Sequence, residues 1–175
     1  MRAAEGVWAI GDVTGAGAFT HMAMYQANIA IAGILGDDVT PADYHAVSAV
    51  AFTDPEVASI GLREQQAPDR GIAVRTGTQQ VSHSARGWIH KAGNEGFIKL
   101  VEDAARGVLV GATSVGPHGG EVLGLLSIAV HAAIPVEQLR SMIYAYPTFH
   151  RGIEDALRHL VAQPLPVAVR TATGD

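Results

Sequence analysis

A chain of 175 residues has room for one whole domain and part of another, and with 48% hydrophobic and 17% charged residues it is composed to fold. A formal net charge of −5 with no basic stripe excludes a nucleic-acid surface, and every apolar run is interrupted by Gly, Gln, Asn or His before it could span a bilayer. There is no cysteine to form a disulfide or act as a thiol nucleophile, and no apolar stretch of signal-peptide type follows Met1 to Glu5, which together point to the cytoplasm.

The first predicted element is the apolar strand Val7-Trp8-Ala9-Ile10, of a kind that is buried on both faces. No element precedes it in the chain, so its covering layers are expected from residues outside this sequence. Gly11-Asp12 and the permissive turn Gly15-Ala16-Gly17 follow. A helix is then predicted from Thr20, taken as its N-cap, to Gly36, taken as its C′ residue. Met22, Ala23, Ala27, Ala30, Ile31 and Ile34 recur along it at helical spacing. Asp37 to Pro41 reads as a linker.

From about Tyr44 the pattern changes to short strands. Val47 to Phe52 and Val57 to Ile60 flank the turn Thr53-Asp54-Pro55, and Ile72 to Val81 alternates well enough for a third strand. Gly96 to Val101 and Val108 to Ala112 make a hairpin pair. Helices are predicted over Gly120 to Ala132, from Pro135 as an N1 residue, and from Pro147 to about Val161. Ile153, Ala156, Leu157, Leu160 and Val161 form one apolar stripe on the last of these. Strands followed by helices predict an α+β domain, an antiparallel sheet with helices packed on it, over residues 44–162. A strand-helix unit over 1–43 precedes it, and 163–175, with two prolines and no periodicity, reads as a flexible tail.

Chemistry concentrates first at Gly11-Asp12. An acidic residue at the end of a strand can accept hydrogen bonds from sugar-type hydroxyls, glycines let a ligand approach the backbone, and a helix N-terminus offers free N–H groups. Taken alone, this spacing better suits an aspartate that merely caps its turn, since strand-Gly-Asp turns are common.

The stretch Trp8-Ala9-Ile10-Gly11-Asp12-Val13 resembles the second flavin-binding motif of the pyridine nucleotide-disulfide oxidoreductases, the family of dihydrolipoamide dehydrogenase, mercuric reductase and soluble transhydrogenase. Three further stretches match in order. Phe52 to Leu62 resembles the start of that family's dimerisation domain. Gly96 to Val101 resembles its central strand, followed as in the family by Val110-Gly111-Ala112 and Glu121. Tyr144-Ala145-Tyr146-Pro147-Thr148 falls where the C-terminal active-site motif lies. The resemblance implies the end of an FAD-binding domain over 1–43 and a dimerisation domain over 44–162, joined in a homodimer. Gly11 and Asp12 would then serve FAD, with Asp12 bonding its ribityl chain. Thr20, His21, Met22 and Ala23 would turn N–H groups toward the pyrimidine end of the flavin, where a helix dipole favours negative charge. NAD(P)H would be the co-substrate and a small molecule the electron acceptor. The family's pyrophosphate turn, redox cysteine pair and nucleotide domain lie upstream of these motifs, so the sequence reads as a piece of a longer protein, expected to bind no FAD tightly by itself.

One motif departs from the family. Its disulfide-reducing members open the C-terminal motif with a histidine base, oriented by a glutamate five residues on; here those positions hold Tyr146 and Arg151. A phenol is a poor base near neutrality, and a guanidinium cannot accept an imidazole proton. Soluble transhydrogenase is similar in carrying Tyr-Pro-Thr at that point, and it needs no thiol acceptor. Tyr146 and His150 are the catalytic candidates, His150 as a substitute acid-base one helical turn away. His150 reads equally as a surface histidine, and His21 as a cap residue. Glu154 and Asp155 read as the solvated face of their helix. His118 and Glu121 form an H-x-x-E pair without further ligands, and no metal site is expected. An enzyme subunit with a non-disulfide acceptor is the leading reading. A non-catalytic dimerisation module is the alternative, and an unrelated α+β binding domain a third.

Overall fold

The computed structural model describes residues 1–166, so most of the predicted tail at 163–175 lies outside the described residues. The chain divides into two units, Met1–Tyr44 and a larger one beginning at His45.

In the first unit, β1 (Arg2–Ala4) and β2 (Val7–Trp8) form an antiparallel hairpin ahead of α1 (Thr20–Leu35). The apolar run is therefore neither unaccompanied nor a doubly buried strand. It is extended over only two residues, Arg2–Ala4 pairs with it, and Val7 is 53% exposed. A two-stranded ribbon this short cannot cover both of its faces. Trp8 instead lies against α1, where a Cβ on Gly33 would come within 2.8 Å of its indole ring. Thr20 is not the helix cap: Phe19 holds the extended dihedrals a cap requires (φ −134°, ψ 142°), and Thr20 is the first helical residue. At the far end Gly36 takes the left-handed conformation (φ 82°) and its N–H reaches the Ala32 carbonyl, as an αL stop demands.

The second unit is an α+β domain. Its five strands are β3 (Ser48–Ala51), β4 (Glu56–Gly61), β5 (Val74–Gln80), β6 (Phe97–Asp103) and β7 (Val108–Gly116). They pair antiparallel throughout in the order β3-β4-β7-β6-β5. Alternation sorts them onto two faces. Ala58, Ile60, Ile98, Leu100 and Ala112 point into the core, while Val57, Ser59, Lys99 and Thr113 occupy the other side. Helices α3 (Gly119–His131), α4 (Val136–Arg140) and α5 (Gly152–Ala162) close the core. Leu123, Leu126, Ile153, Leu157 and Leu160 are among its fully buried members. Gly77 lets α5 lie directly on β5, because a Cβ there would collide with the Ala156 carbonyl oxygen and come within 2.6 Å of Leu160. Pro135 is the cap of α4 and not its first residue. A short helix with no sequence forecast, α2 (Ala85–His90), sits between β5 and β6, its first turn capped by Ser84, which accepts the Gly87 N–H at 3.0 Å.

Two polar features of this unit carry energetic weight. Arg75 and Glu102 face each other across β5 and β6 in a two-pronged ion pair, Nε to Oε2 at 2.6 Å and Nη2 to Oε1 at 3.0 Å. Glu102 is fully buried. Its hydrogen bond holds the Arg75 guanidinium above its ordinary pKa, against the opposing effect of burial. The other is Tyr144, a core residue whose hydroxyl donates to the Leu139 carbonyl at 3.0 Å. Burial, with the charge of Glu154 adding to it, pushes this phenol up to about 12. The folded chain holds the proton more tightly than the unfolded one. Stability is therefore intact below about pH 10 and falls as pH rises toward 12, by about 1.4 kcal/mol per unit. Urea midpoints measured across that range should decline for the wild type and decline less for Tyr144→Phe; parallel curves would remove Tyr144 as the cause.

Candidate functional site

The first group of candidate residues lies in Met1–Tyr44. A 3-10 turn over Gly11–Thr14 leads from the hairpin toward α1, with Gly11 at φ 74°, a backbone conformation suited to glycine. Gln26, fully buried on α1, fastens this turn. Its Oε1 accepts the Gly11 N–H at 2.6 Å, and its Nε2 donates to Thr14 Oγ1 and to the Tyr44 hydroxyl, each at 3.0 Å. Thr14 closes the loop by donating to the Gly11 carbonyl at 2.7 Å. The result is a rigid turn that holds Asp12 exposed to solvent. Gly11 also packs on the first turns of α1, since a Cβ there would stand 3.4 Å from that of Ala23.

No side chain caps the start of α1, and no acidic residue occupies its first turn, so the positive end of its dipole is uncompensated. Thr20 and His21 are exposed, Met22 is buried and Ala23 is half-buried; the His21 ring stacks on Phe19 at 5.1 Å. An exposed carboxylate on this turn can accept hydroxyl donors, and such a helix start can receive an electron-rich atom. The organising residue, Gln26, escaped sequence reasoning. A polar side chain on the buried stripe of a predicted helix was the available signal.

The second group lies in the larger unit, between α4 and α5. Here the structure corrects the expectation of a helix from Pro147, because α5 begins only at Gly152. Thr148 diverts the backbone into turns: its hydroxyl donates to the Ala145 carbonyl at 2.7 Å and accepts the Arg151 N–H at 3.3 Å. Tyr146 and His150 thus sit on a turn, and the one-helical-turn relation expected between them does not apply. Among the described residues no hydrogen bond or ring contact joins their side chains. Tyr146 is 68% exposed and is followed by a cis peptide to Pro147.

The partner of Tyr146 is Arg151, whose guanidinium carbon lies 5.3 Å from the centre of the phenol ring. Arg151 is anchored in turn by Glu154 at 3.1 Å and Asp155 at 3.9 Å, both of which also bind Arg158. Glu154 and Asp155 are therefore half-buried members of a charge ladder and not a plain solvated face. Close by, Phe149 meets the rings of His90 and His118 at 5.4 and 5.7 Å and the guanidinium of Arg86 at 5.3 Å. This arrangement fixes an exposed phenol beside clamped cations; it can donate a hydrogen bond and shape a pocket wall, but it holds no carboxylate-oriented imidazole. Among the described residues, no three His, Asp or Glu side chains are grouped to hold a metal ion, and no helix is long and apolar enough to cross a membrane.

Comparison with known proteins bears on this arrangement. Residues 47–157 match the family described as pyridine nucleotide-disulphide oxidoreductase, dimerisation domain. The chain is similar to a dihydrolipoyl dehydrogenase of Geobacillus stearothermophilus, 32% identical over 164 residues that make up 94% of this chain and 34% of that protein. It is also similar to a dihydrolipoyl dehydrogenase of Halobacterium salinarum, 34% identical over 155 residues, 89% of this chain and 32% of the other. Among solved structures, LpdA from Mycobacterium tuberculosis matches with a TM-score of 0.79 and 30% identity, over 89% of this chain and 34% of that one. The HOCl-induced flavoprotein disulfide reductase RclA from Escherichia coli shares the fold, at a TM-score of 0.76 and 24% identity over 91% of this chain and 36% of that one. The chain spans about a third of the length of the curated relatives it matches. With its five-stranded antiparallel sheet and the helices that close it, the chain belongs to the pyridine nucleotide-disulphide oxidoreductases, carrying their dimerisation domain over residues 47–157.

Proposed function

We propose that the chain is the C-terminal part of a homodimeric FAD-dependent NAD(P)H oxidoreductase whose acceptor is not a disulfide. The observation that carries this reading is the Tyr146–Arg151 contact, standing where the disulfide-reducing members of the family place a histidine and its orienting glutamate. In this reading 1–43 is the end of the flavin-binding domain and 44–162 the dimerisation domain.

The residues near the start of the chain suit FAD. Gly11 is buried with its N–H taken by Gln26, and its part is to set the turn, while the Asp12 carboxylate, held out by that network, can accept the ribityl hydroxyls. The start of α1, where Thr20 and His21 are exposed and the N–H groups of Met22 and Ala23 already donate to the Phe19 carbonyl at 3.0 and 3.2 Å, favours negative charge at the pyrimidine end through the helix dipole. When bound, FAD supplies the hydride chemistry between nicotinamide and acceptor. Tyr146 donates a hydrogen bond to the acceptor or walls its pocket, and Arg151 holds the ring for that task. His150 is the residue to test as a substitute acid-base.

The deciding experiment is an absorption spectrum of the whole protein during reductive titration with NADH and with NADPH. Flavin reduction without a long-wavelength thiolate charge-transfer band supports the proposal, and a protein without flavin overturns it. In that protein Asp12→Ala should weaken FAD retention by about 1.5–3 kcal/mol, the worth of a charge-assisted acceptor. Flavin content unchanged after dialysis would take Asp12 out of the site.

The exposed apolar residues limit which parts of the larger unit can form the dimer surface. The α5 stripe of Ile153, Ala156, Leu157 and Leu160 is fully buried within its own unit and has nothing left to offer a partner. Phe52, Ile128 and Ile143 remain exposed to make the isologous contact. Sedimentation should show a dimer at micromolar concentration, and Ile128→Asp should shift it toward monomer; a wild-type chain that sediments only as monomer defeats this assignment.

A further inference from the structure

We infer that a cleft at the β6–β7 turn end of the sheet is a binding site for a compact organic carboxylate. The cleft encloses about 160 Å³, the liquid volume of roughly five waters. Its floor is aliphatic, with Leu62, Ile72, Leu109 and Val130 facing the space, and its polar lining consists of the Arg70 and Arg106 guanidiniums and the imidazole of His45, which stacks on His131. None of the residues from Tyr146 to Arg151 takes part in it.

Three observations distinguish this cleft from an accidental groove. The chain has 17 acidic residues against 12 lysines and arginines, yet no carboxylate lines the cleft, so the local charge runs against the overall balance. Among the described residues neither arginine has an ion-pair partner, as is also true of Arg2, Arg63 and Arg86, whereas Arg75 and Arg140 have one each and Arg151 and Arg158 two each. Asp103, the acidic residue nearest Arg106 in sequence, is occupied: its Oδ1 accepts the N–H groups of Ala105 and Arg106 at 3.0 and 3.2 Å, which fixes the turn that presents the guanidinium. The C-terminus of α3 points toward the cleft, but the carbonyls of Ile128, Ala129 and Val130 are taken by the N–H groups of Ala132, Ile134 and Ala133, which blunts its negative end.

Chemistry narrows the ligand. Arginine presents a planar fork of donors that fits a carboxylate with two parallel bonds, and a concave apolar wall focuses the field of the cations. Apart from the two guanidiniums and the flat His45 ring the lining is aliphatic, so the body of the ligand is a hydrocarbon ring or a short branched chain. Concave sites with an apolar lining and few convergent polar groups are the usual form of small-molecule sites.

Benzoate is a suitable probe, with benzamide as its neutral isostere and inorganic phosphate as a charge-only control. Amide chemical shifts of the chain should change saturably on benzoate addition at Ile72, Arg106 and Val108, with a Kd on the order of 1 mM, as a ligand of this size supports. Benzamide should bind at least about tenfold more weakly, and phosphate more weakly than benzoate, since neither satisfies fork and floor together. Arg70→Gln/Arg106→Gln should lower benzoate affinity by at least about tenfold, and Arg70→Lys/Arg106→Lys should retain part of it. Both arginines are exposed, so these variants keep the fold, which an unchanged thermal midpoint verifies. The assignment is overturned by benzoate shifts that do not saturate or fall elsewhere, by equal affinity for benzamide, by tighter phosphate binding, or by a double glutamine variant that binds as well as the wild type.

Discussion

With NAD(P)H as donor, the whole flavoprotein should reduce quinone- or dye-type acceptors about 10²–10⁴-fold more efficiently than it handles dihydrolipoamide or glutathione disulfide. A dithiol acceptor needs a base near the flavin to take and return its proton, and positioned proton transfer contributes a factor of that size. Hydride transfer between nicotinamide and flavin needs only alignment of the rings. In the proposed function Tyr146 takes the place of that base, and its ring is covered by a guanidinium that is itself tied to Glu154 and Asp155. His150 is the side chain to test for reversing the preference. Since it sits on a turn and not on the helix, a small change in that turn would redirect it. The measurement is kcat/KM for each acceptor in the wild type and in His150→Ala. Rapid disulfide turnover that collapses in the variant would relocate the base to His150, and rapid turnover that survives it would end the non-disulfide proposal.

Arg75→Met should cost about 3–5 kcal/mol, because it strands the Glu102 carboxylate inside the sheet. The pair is directly cross-strand, both prongs are short, and Glu102 retains 1% of its accessible surface. An ionised group so placed cannot recover its hydration, and domains of this size have only about 5–15 kcal/mol to lose. Arg75→Met/Glu102→Met should recover most of the loss, since two apolar side chains leave nothing unsatisfied. Urea unfolding of the three proteins measures both effects. A single variant within 1 kcal/mol of wild type would show that water reaches Glu102.

What the sequence disclosed follows from the range of each interaction. Strands β3 to β7 and helix α3 were readable to within a few residues, because alternation and helical periodicity are imposed residue by residue by the one core they share. The beginning of α5 was not, since Thr148 bonds the backbone three residues to either side in turns that compete with helix, a local effect that the neighbouring proline masked by suggesting an N-terminus. Helix α2 went unseen because its six residues include Gly87 and an exposed Trp88, though Ser84 bonding the Gly87 N–H is a cap that could have marked it. At the candidate site, Tyr146 and Arg151 were singled out by motif position alone. A separation of five residues gives no reason for contact, and the geometry of the turn brings ring and guanidinium together. Arg75 and Glu102 are 27 residues apart, and only the register of β5 on β6 pairs them.

The strand order also sets a sequence of events in time. Strands β6 and β7 are joined by a tight turn, with Asp103 opposite Val108, so they can zip together locally. The pairing of β7 with β4 joins Gly61 to Gly111 and Glu56 to Gly116, contacts that close loops of 50 and 60 residues. By the logarithmic cost of loop closure, this second pairing starts about 2 kcal/mol behind the first, a deficit recovered only once α3 buries Leu123 and Leu126 against both strands. A chain built this way has two local hairpins, β3–β4 and β6–β7, and the pairing of β4 with β7 that joins them is the one that carries the long-loop cost.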